Sequence, residues 1–327
     1  VWFPRARSVE LRTETLAETG PDEVRVRAAL SAISHGTEML VYRGEVDADL
    51  ALDLPTLAGG FGFPLKYGYA SVGRAVAVGH DVGGVREGDL VFALHPHQDE
   101  YVVRESLVRR LPANATPEQG VFLANLETAI NVVLDAKPRL GEVVAVFGQG
   151  VVGLLVTQLL RRSGARVVAV EPSALRRSFA ERCGAEAVIA PGGGTLVREL
   201  TGGRGADIAI DASGNPSALQ EAIDCVAPEG TVVVCSWYGE KPVPLDLGGR
   251  FHRGRVRLVS SQVGRIDPSL APRWDRERRL ELATALLGEL ILAELITHRI
   301  PFARAAEAYA LVDHWDAETV QVVLDYA

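Results

Sequence analysis

The chain has 327 residues, 47% of them hydrophobic and 23% charged, with a formal net charge of -8. This length exceeds the roughly 250–300 residues at which a single core usually divides, so two domains are expected. The acidic balance, dispersed arginines and only three lysines (Lys66, Lys137, Lys241) argue against nucleic acid or an anionic membrane as partner. No run approaches the ~20 apolar residues of a membrane span.

The first stretch, to about residue 115, is β-rich by alternation and turn chemistry: "EVRVRAAL", "YASVGRAVAVG", "DLVFAL" and "EYVVRESLVRRL", divided by Gly, Pro and Asp turns. Within it "SAISHGTEML" sets a short polar turn between a strand and an apolar run. His35 there is open to three readings: a metal ligand, an acid/base group, or a polar turn residue beside a helix that Thr37 caps through its hydroxyl. Then "TPEQGVFLANLETAINVVLDA" switches to helical spacing, with Thr116 as N-cap and Pro117 at the first helical position.

From residue 142 strands ("VVAVFG", "RVVAV", "AVIA", "ADIAIDA", "GTVVVCSW") alternate with helical stretches. The strands are continuously apolar, as expected where helices cover both faces of a parallel sheet. "RVRLVSSQVG" closes this unit near residue 264. The remainder reads helix–strand–helix–strand and is too short to stand alone, so it is expected to return to the first domain. The expected boundaries are 1–124 with 265–327 for the β-rich domain and 125–264 for the doubly wound one.

Cys183, Cys225 and Cys235 are too scattered for a disulfide framework and form no CxxC pair, which fits a reducing compartment. The first residues, "VWFPRARSVE", lack a signal-peptide core, so a cytoplasmic protein is expected.

"VVAVFGQGVVGLLVTQLL" places Gly148, Gly150 and Gly153 in GxGxxG spacing between a buried strand and an apolar helix, with Gln149, Val151 and Val152 between them. Gly148 permits a tight turn, Gly150 lets the backbone approach a pyrophosphate, and Gly153 lets helix and strand pack closely. The helix N-terminus supplies free N–H groups for the anion. Glu171, about twenty residues on, is the expected ribose-binding carboxylate, which favours NAD. Arg176 and Arg177 keep NADP open, as cations for a 2′-phosphate. Ser213, Ser236 and Gln262 lie on loops after strands, where such a sheet binds its cofactor.

With "AVFGQGVVGLLVTQLL", "ADIAIDASGNPSALQEAI" and "EGTVVVCSWYG" in this order, the chain resembles the medium-chain dehydrogenase/reductase superfamily over essentially its whole length. "ISHGTE", "KYGYASVG", "PHQ", "NLETAIN" and "LVSSQVG" resemble its bacteriochlorophyllide-dehydrogenase-like branch. The resemblance implies a GroES-like β-rich catalytic domain, a Rossmann domain and a homodimer formed through "RVRLVSSQV". It places Thr128 beside the nicotinamide, and it puts Gly36 and Gln321 where many relatives carry basic residues against the pyrophosphate. It also implies metal-ligand positions at His35, Tyr69, Ala70 and Ala124, of which the alanines cannot bind metal. No zinc is therefore expected, although His35, His95 and His97 together would make an adequate shell.

Without metal, another group must handle the carbinol proton. The candidates are Tyr69, tuned by Lys66 as a nearby cation, with His35, Thr37 and His95 in support. The expected function is a zinc-independent NAD(P)-dependent oxidoreductase acting on a secondary alcohol or ketone of a fairly large or cyclic small molecule. An enoyl or quinone reductase is the alternative, and a non-catalytic dinucleotide-binding protein is the alternative of another class.

Overall fold

The computed structural model describes all residues except 53, 58, 193 and 315–317. The fold is α/β. The chain divides into two compact units, residues 1–124 with 284–327 and residues 125–283.

The first unit is built on a seven-stranded sheet. Its order is Ile296–Pro301, Gln321–Asp325, Glu23–Ala32, Ser71–Val78, Leu90–Ala93, Val108–Arg110, with Glu100–Arg104 also paired to Glu23–Ala32. The pairing is antiparallel apart from Ile296–Pro301 with Gln321–Asp325. The strand Glu23–Ala32 alternates as its sequence requires: Val24 and Val26 are fully buried, while Arg25 and Arg27 face outward near Glu100. A second core joins Phe3, Ile33, Met39, Tyr42, Tyr67 and Tyr309, and so carries the helices Thr37–Arg43 and Ala305–Asp313.

The helix Thr37–Arg43 begins at Gly36, which makes no side-chain cap. The cap expected from the Thr37 hydroxyl is thus not made; Thr37 is the first helical residue. The Glu38 carboxylate instead accepts from the Ser34 N–H, ahead of the helix, at 3.0 Å.

The second unit is a six-stranded parallel sheet in the order Ala187–Ile189, Arg166–Val170, Val143–Phe147, Ala206–Asp211, Val226–Val234, Arg257–Ser260. All five residues of Val143–Phe147 are buried, as a central strand covered on both faces demands. The order reverses between Val143–Phe147 and Ala206–Asp211, the switch point at which such sheets bind ligands.

The chain leaves this unit later than the expected boundary at 264. Arg279, only 2% exposed, donates to Glu127 Oε1 from Nε at 3.1 Å and Nη2 at 2.7 Å, and to Asn131 Oδ1 from Nη1. These bonds fasten the helix Arg276–Leu286 to the helix Leu123–Ala136. Leaving the Arg279 guanidinium buried without them would cost several kcal/mol, so the segment stays.

Candidate active site

In the second unit Gly148 and Gly153 meet the steric demands placed on them. Gly148 has φ +87°, and a Cβ there would lie 2.8 Å from the Ser213 backbone. At Gly153 a Cβ would stand 1.9 Å from the Gly148 carbonyl oxygen, so helix and turn touch backbone to backbone. Around Gly150 nothing lies within 4 Å of the added carbon, which leaves room for a diphosphate over the turn. The helix Val151–Arg162 starts at Gly150 without a side-chain cap, so its first-turn N–H groups suit an anion. Val151 is buried and Val152 half-buried. These residues fit a dinucleotide.

Glu171 does not present itself as expected. It is 1% exposed; its Oε2 accepts from Gln149 N at 2.7 Å and its Oε1 from Ser173 N at 2.9 Å. Its carboxylate braces the glycine turn and offers no surface oxygen to a ribose hydroxyl. The Gln149 side chain also turns inward, donating to the Val146 carbonyl at 3.1 Å and accepting from Thr157 Oγ1 at 3.0 Å. Arg176 caps back to Ser173 through its N–H. Arg177 spends Nη1 on the Glu171 and Pro172 carbonyls at 2.9 and 2.6 Å.

Ser213 and Ser236 belong to one knot at the strand ends. Asp211, fully buried, accepts from Ser213 N and Oγ at 3.1 and 2.6 Å and from Tyr238 OH at 2.8 Å. Ser236 Oγ accepts from Gly214 N at 2.8 Å. Thr128 lies half-buried on the helix Leu123–Ala136. Gln262 is exposed, and its carbonyl accepts from Asn131 Nδ2 at 3.4 Å.

The first unit holds a second polar cluster. Tyr69 packs against the Phe3–Tyr309 core, and the Ser34 and Thr37 hydroxyls act on its phenol. Burial, helped by the Glu38 charge, pushes that phenol up to about 12 despite the two hydroxyls. The expected tuning by Lys66 is corrected: Lys66 pairs with Glu14 at 2.6 Å and is not among the charges acting on Tyr69. Tyr69 is therefore a hydrogen-bond donor at neutral pH, not an incipient phenolate.

His95 stacks on Tyr101, with centroids 3.8 Å apart and planes at 8°. Its Nδ1 is 2.9 Å from the Pro96 carbonyl and must donate there, so Nε2 carries the lone pair. Burial lowers its pKa to about 4, which keeps the ring neutral. His35 is half-buried in the turn before Thr37. Gln321 donates from Nε2 to the Ile33 and Val322 carbonyls at 2.8 and 2.7 Å.

The three-histidine metal shell is not assembled. His97 is fully buried and spends both nitrogens, Nδ1 with Ser31 Oγ at 2.6 Å and Nε2 with Glu38 Oε1 at 2.7 Å. Among the described residues no three His, Cys, Asp or Glu side chains gather as a metal site. With Ala70 and Ala124 at two of the ligand positions that the resemblance implies and a phenol that resists ionisation at a third, these residues do not fit a zinc ion. Sequence reasoning missed Ser31, Glu38, Tyr309 and Tyr326 as one cluster. The only local signal was an acid placed within the apolar run "EMLVY".

A parallel sheet in this strand order with this glycine turn defines a nicotinamide dinucleotide-dependent oxidoreductase. Residues 151–276 match the model of the zinc-binding dehydrogenase family. The chain is 31% identical over 311 residues to D-guloside 3-dehydrogenase of Escherichia coli K12, covering 88% of each chain. It is 29% identical to 2-desacetyl-2-hydroxyethyl bacteriochlorophyllide A dehydrogenase of Cereibacter sphaeroides, covering 98% of this chain and 95% of that one. The crystal structure of 2R,3R-butanediol dehydrogenase from Bacillus subtilis shares the fold, with TM-score 0.79, 23% identity and 98% and 97% coverage. The chain belongs to the zinc-binding dehydrogenase family, the medium-chain dehydrogenase/reductases, and is an NAD(P)-dependent oxidoreductase. Among the described residues no helix is long and apolar enough to cross a membrane.

Proposed function

We propose that this protein is a zinc-independent dehydrogenase that interconverts a secondary alcohol and a ketone on a cyclic or otherwise sizeable polyol-like substrate. The observation that carries this reading is the Tyr69 phenol at a lost ligand position, kept protonated by burial and approached by the Ser34 and Thr37 hydroxyls. The bound nicotinamide supplies the hydride acceptor or donor. Tyr69 donates a hydrogen bond to the substrate oxygen and so polarises a ketone, the task a metal performs in zinc relatives. His95, neutral with its lone pair on Nε2, accepts a hydrogen bond from the carbinol O–H, and in the oxidative direction the proton passes through it to solvent, since burial disfavours a lasting imidazolium. His35, in the turn before the helix Thr37–Arg43, and Thr37, the first residue of that helix, support this proton transfer in the proposal. The substrate class draws support from two relatives whose names specify a sugar derivative and a tetrapyrrole.

NAD is the preferred dinucleotide in this reading. The buried Glu171 carboxylate, just beyond Arg166–Val170, disfavours a nearby 2′-phosphate through its charge, and Arg177 is held by carbonyls. Reduction of an enone is the second reading, favoured by one observation: a phenol that stays protonated also suits an enolate oxygen. A homodimer through the exposed edge strand Arg257–Ser260 and a cytoplasmic setting, consistent with three free cysteines, complete the proposal.

The test combines metal analysis with a substrate panel. Protein prepared without a histidine tag or chelator is expected to carry far less than one zinc per chain and to oxidise cyclic polyols with NAD. Stoichiometric zinc required for turnover would overturn the metal-free mechanism. Turnover of enones alone would move the assignment to the second reading.

A further inference from the structure

The buried cluster around His97 lies outside the groups just assigned, yet it touches both segments that carry them. Glu38 is fully buried; it accepts from His97 Nε2 at 2.7 Å, from Tyr309 OH, and from the Ser34 N–H at 3.0 Å. His97 Nδ1 meets Ser31 Oγ at 2.6 Å, and Ser31 Oγ meets Tyr326 OH at 2.8 Å. One directed chain satisfies every member: Tyr326 donates to Ser31, Ser31 to His97, and His97 and Tyr309 to Glu38. A network this deep, with each group paired, holds its parts in one geometry, because any unpaired member would bear its full desolvation cost.

The network reaches the reacting groups by two routes. Through Glu38 it pins the Ser34 backbone, and Ser34 and Thr37 carry the hydroxyls that act on Tyr69. Through the His97 ring it underlies Gly68, the residue before Tyr69. Gly68 has φ +118°, and a Cβ there would fall 2.6 Å from His97 Cδ2. Ring and glycine are thus in direct contact, and the backbone that aims Tyr69 rests on the imidazole.

We propose that His97 and Glu38 are positioning residues of the reaction, which hold the turn at residues 34–37 and the Gly68–Tyr69 backbone so that the phenol meets the two hydroxyls. This rests on the reading of Tyr69 as the proton-handling group. In this role a buried side-chain network takes over the task of fixing two separate segments, which a bound metal performs when it ligates both.

The experiment uses the full chain labelled with ¹³Cζ-tyrosine. The Tyr69 resonance is assigned through Tyr69→Phe and reports the phenol's hydrogen bonding whether or not a substrate is known. His97→Leu is expected to shift that resonance and to lower kcat at least tenfold, with the affinity for NADH, read by fluorescence titration, unchanged within twofold. His97→Gln, which restores a donor toward Glu38, is expected to recover part of both. Should His97→Leu fail to fold, Tyr309→Phe, which deletes one hydroxyl, decides by the same readouts with an expected loss of about threefold. A folded variant with a lowered Tm but an unmoved Tyr69 resonance would overturn the proposal. If the wild type turns over no polyol, the reaction assigned above fails, and the resonance still decides whether the network positions Tyr69.

Discussion

The two units each bury a glutamate and use it differently. Glu171 fixes a turn through backbone N–H groups from its own neighbourhood, Gln149 and Ser173. Glu38 ties together the side chains of His97 and Tyr309, from positions far apart in sequence, and His97 extends the tie to Ser31. The first device comes from a contiguous strand–turn–helix motif; the second exists only once the β-rich sheet and the returning C-terminal segment have folded together. Loss of the local brace strips two backbone N–H groups of their acceptor, whereas loss of one member of the long-range knot leaves several coupled side chains unpaired.

This difference also explains what could be read before the structure. The Rossmann order, the three glycine roles and the return of the chain were legible because they are written in local spacing and apolar runs. His97 was misread as a possible metal ligand because its partners lie 59 and 66 residues away in sequence. Glu171 is legible at its strand end, but its bonds to the Gln149 and Ser173 N–H groups are not. Spacing locates a carboxylate; whether its oxygens face a ligand or the backbone depends on a side-chain rotamer that no pattern encodes.

Gly153→Ala drives a Cβ against the Gly148 carbonyl, a backbone-to-backbone contact with nothing flexible to yield. Overpacking of this kind costs about 1–3 kcal/mol or more. The expected result is loss of NADH binding by more than about a hundredfold, or loss of the folded unit, read by fluorescence titration and thermal melting. Intact binding would show that the turn is softer than its contacts imply.

Glu171→Gln sharpens the local side. The amide presents an N–H where the carboxylate accepted one, leaving a buried clash worth about 1–3 kcal/mol. NADH affinity is expected to fall roughly tenfold, and the margin over NADPH to narrow as the charge is removed. An unchanged NADH affinity would mean that the brace contributes nothing to the bound state.

On the β-rich side, the stability of the chain depends on pH through His95. His95 takes up its proton near pH 4 in the folded chain and near 6.5 when unfolded, with burial the main cause. Between those values the unfolded chain holds more protons, so stability rises with pH. The contribution is complete above about 6.5 and lost as pH falls through about 4, amounting to at most about 3 kcal/mol. His95→Gln is expected to flatten the dependence of Tm on pH across that window. A slope identical to the wild type's would show that His95 titrates normally.

The brace made by Glu171 also bears on re-engineering this enzyme for the phosphorylated cofactor. Exchanging that acid for a small neutral residue would strip two main-chain donors of their acceptor and unsettle the very loop the new cofactor must use. Pro172, exposed and making no side-chain bond, is the safer position at which to build a phosphate pocket, with residue 171 left untouched.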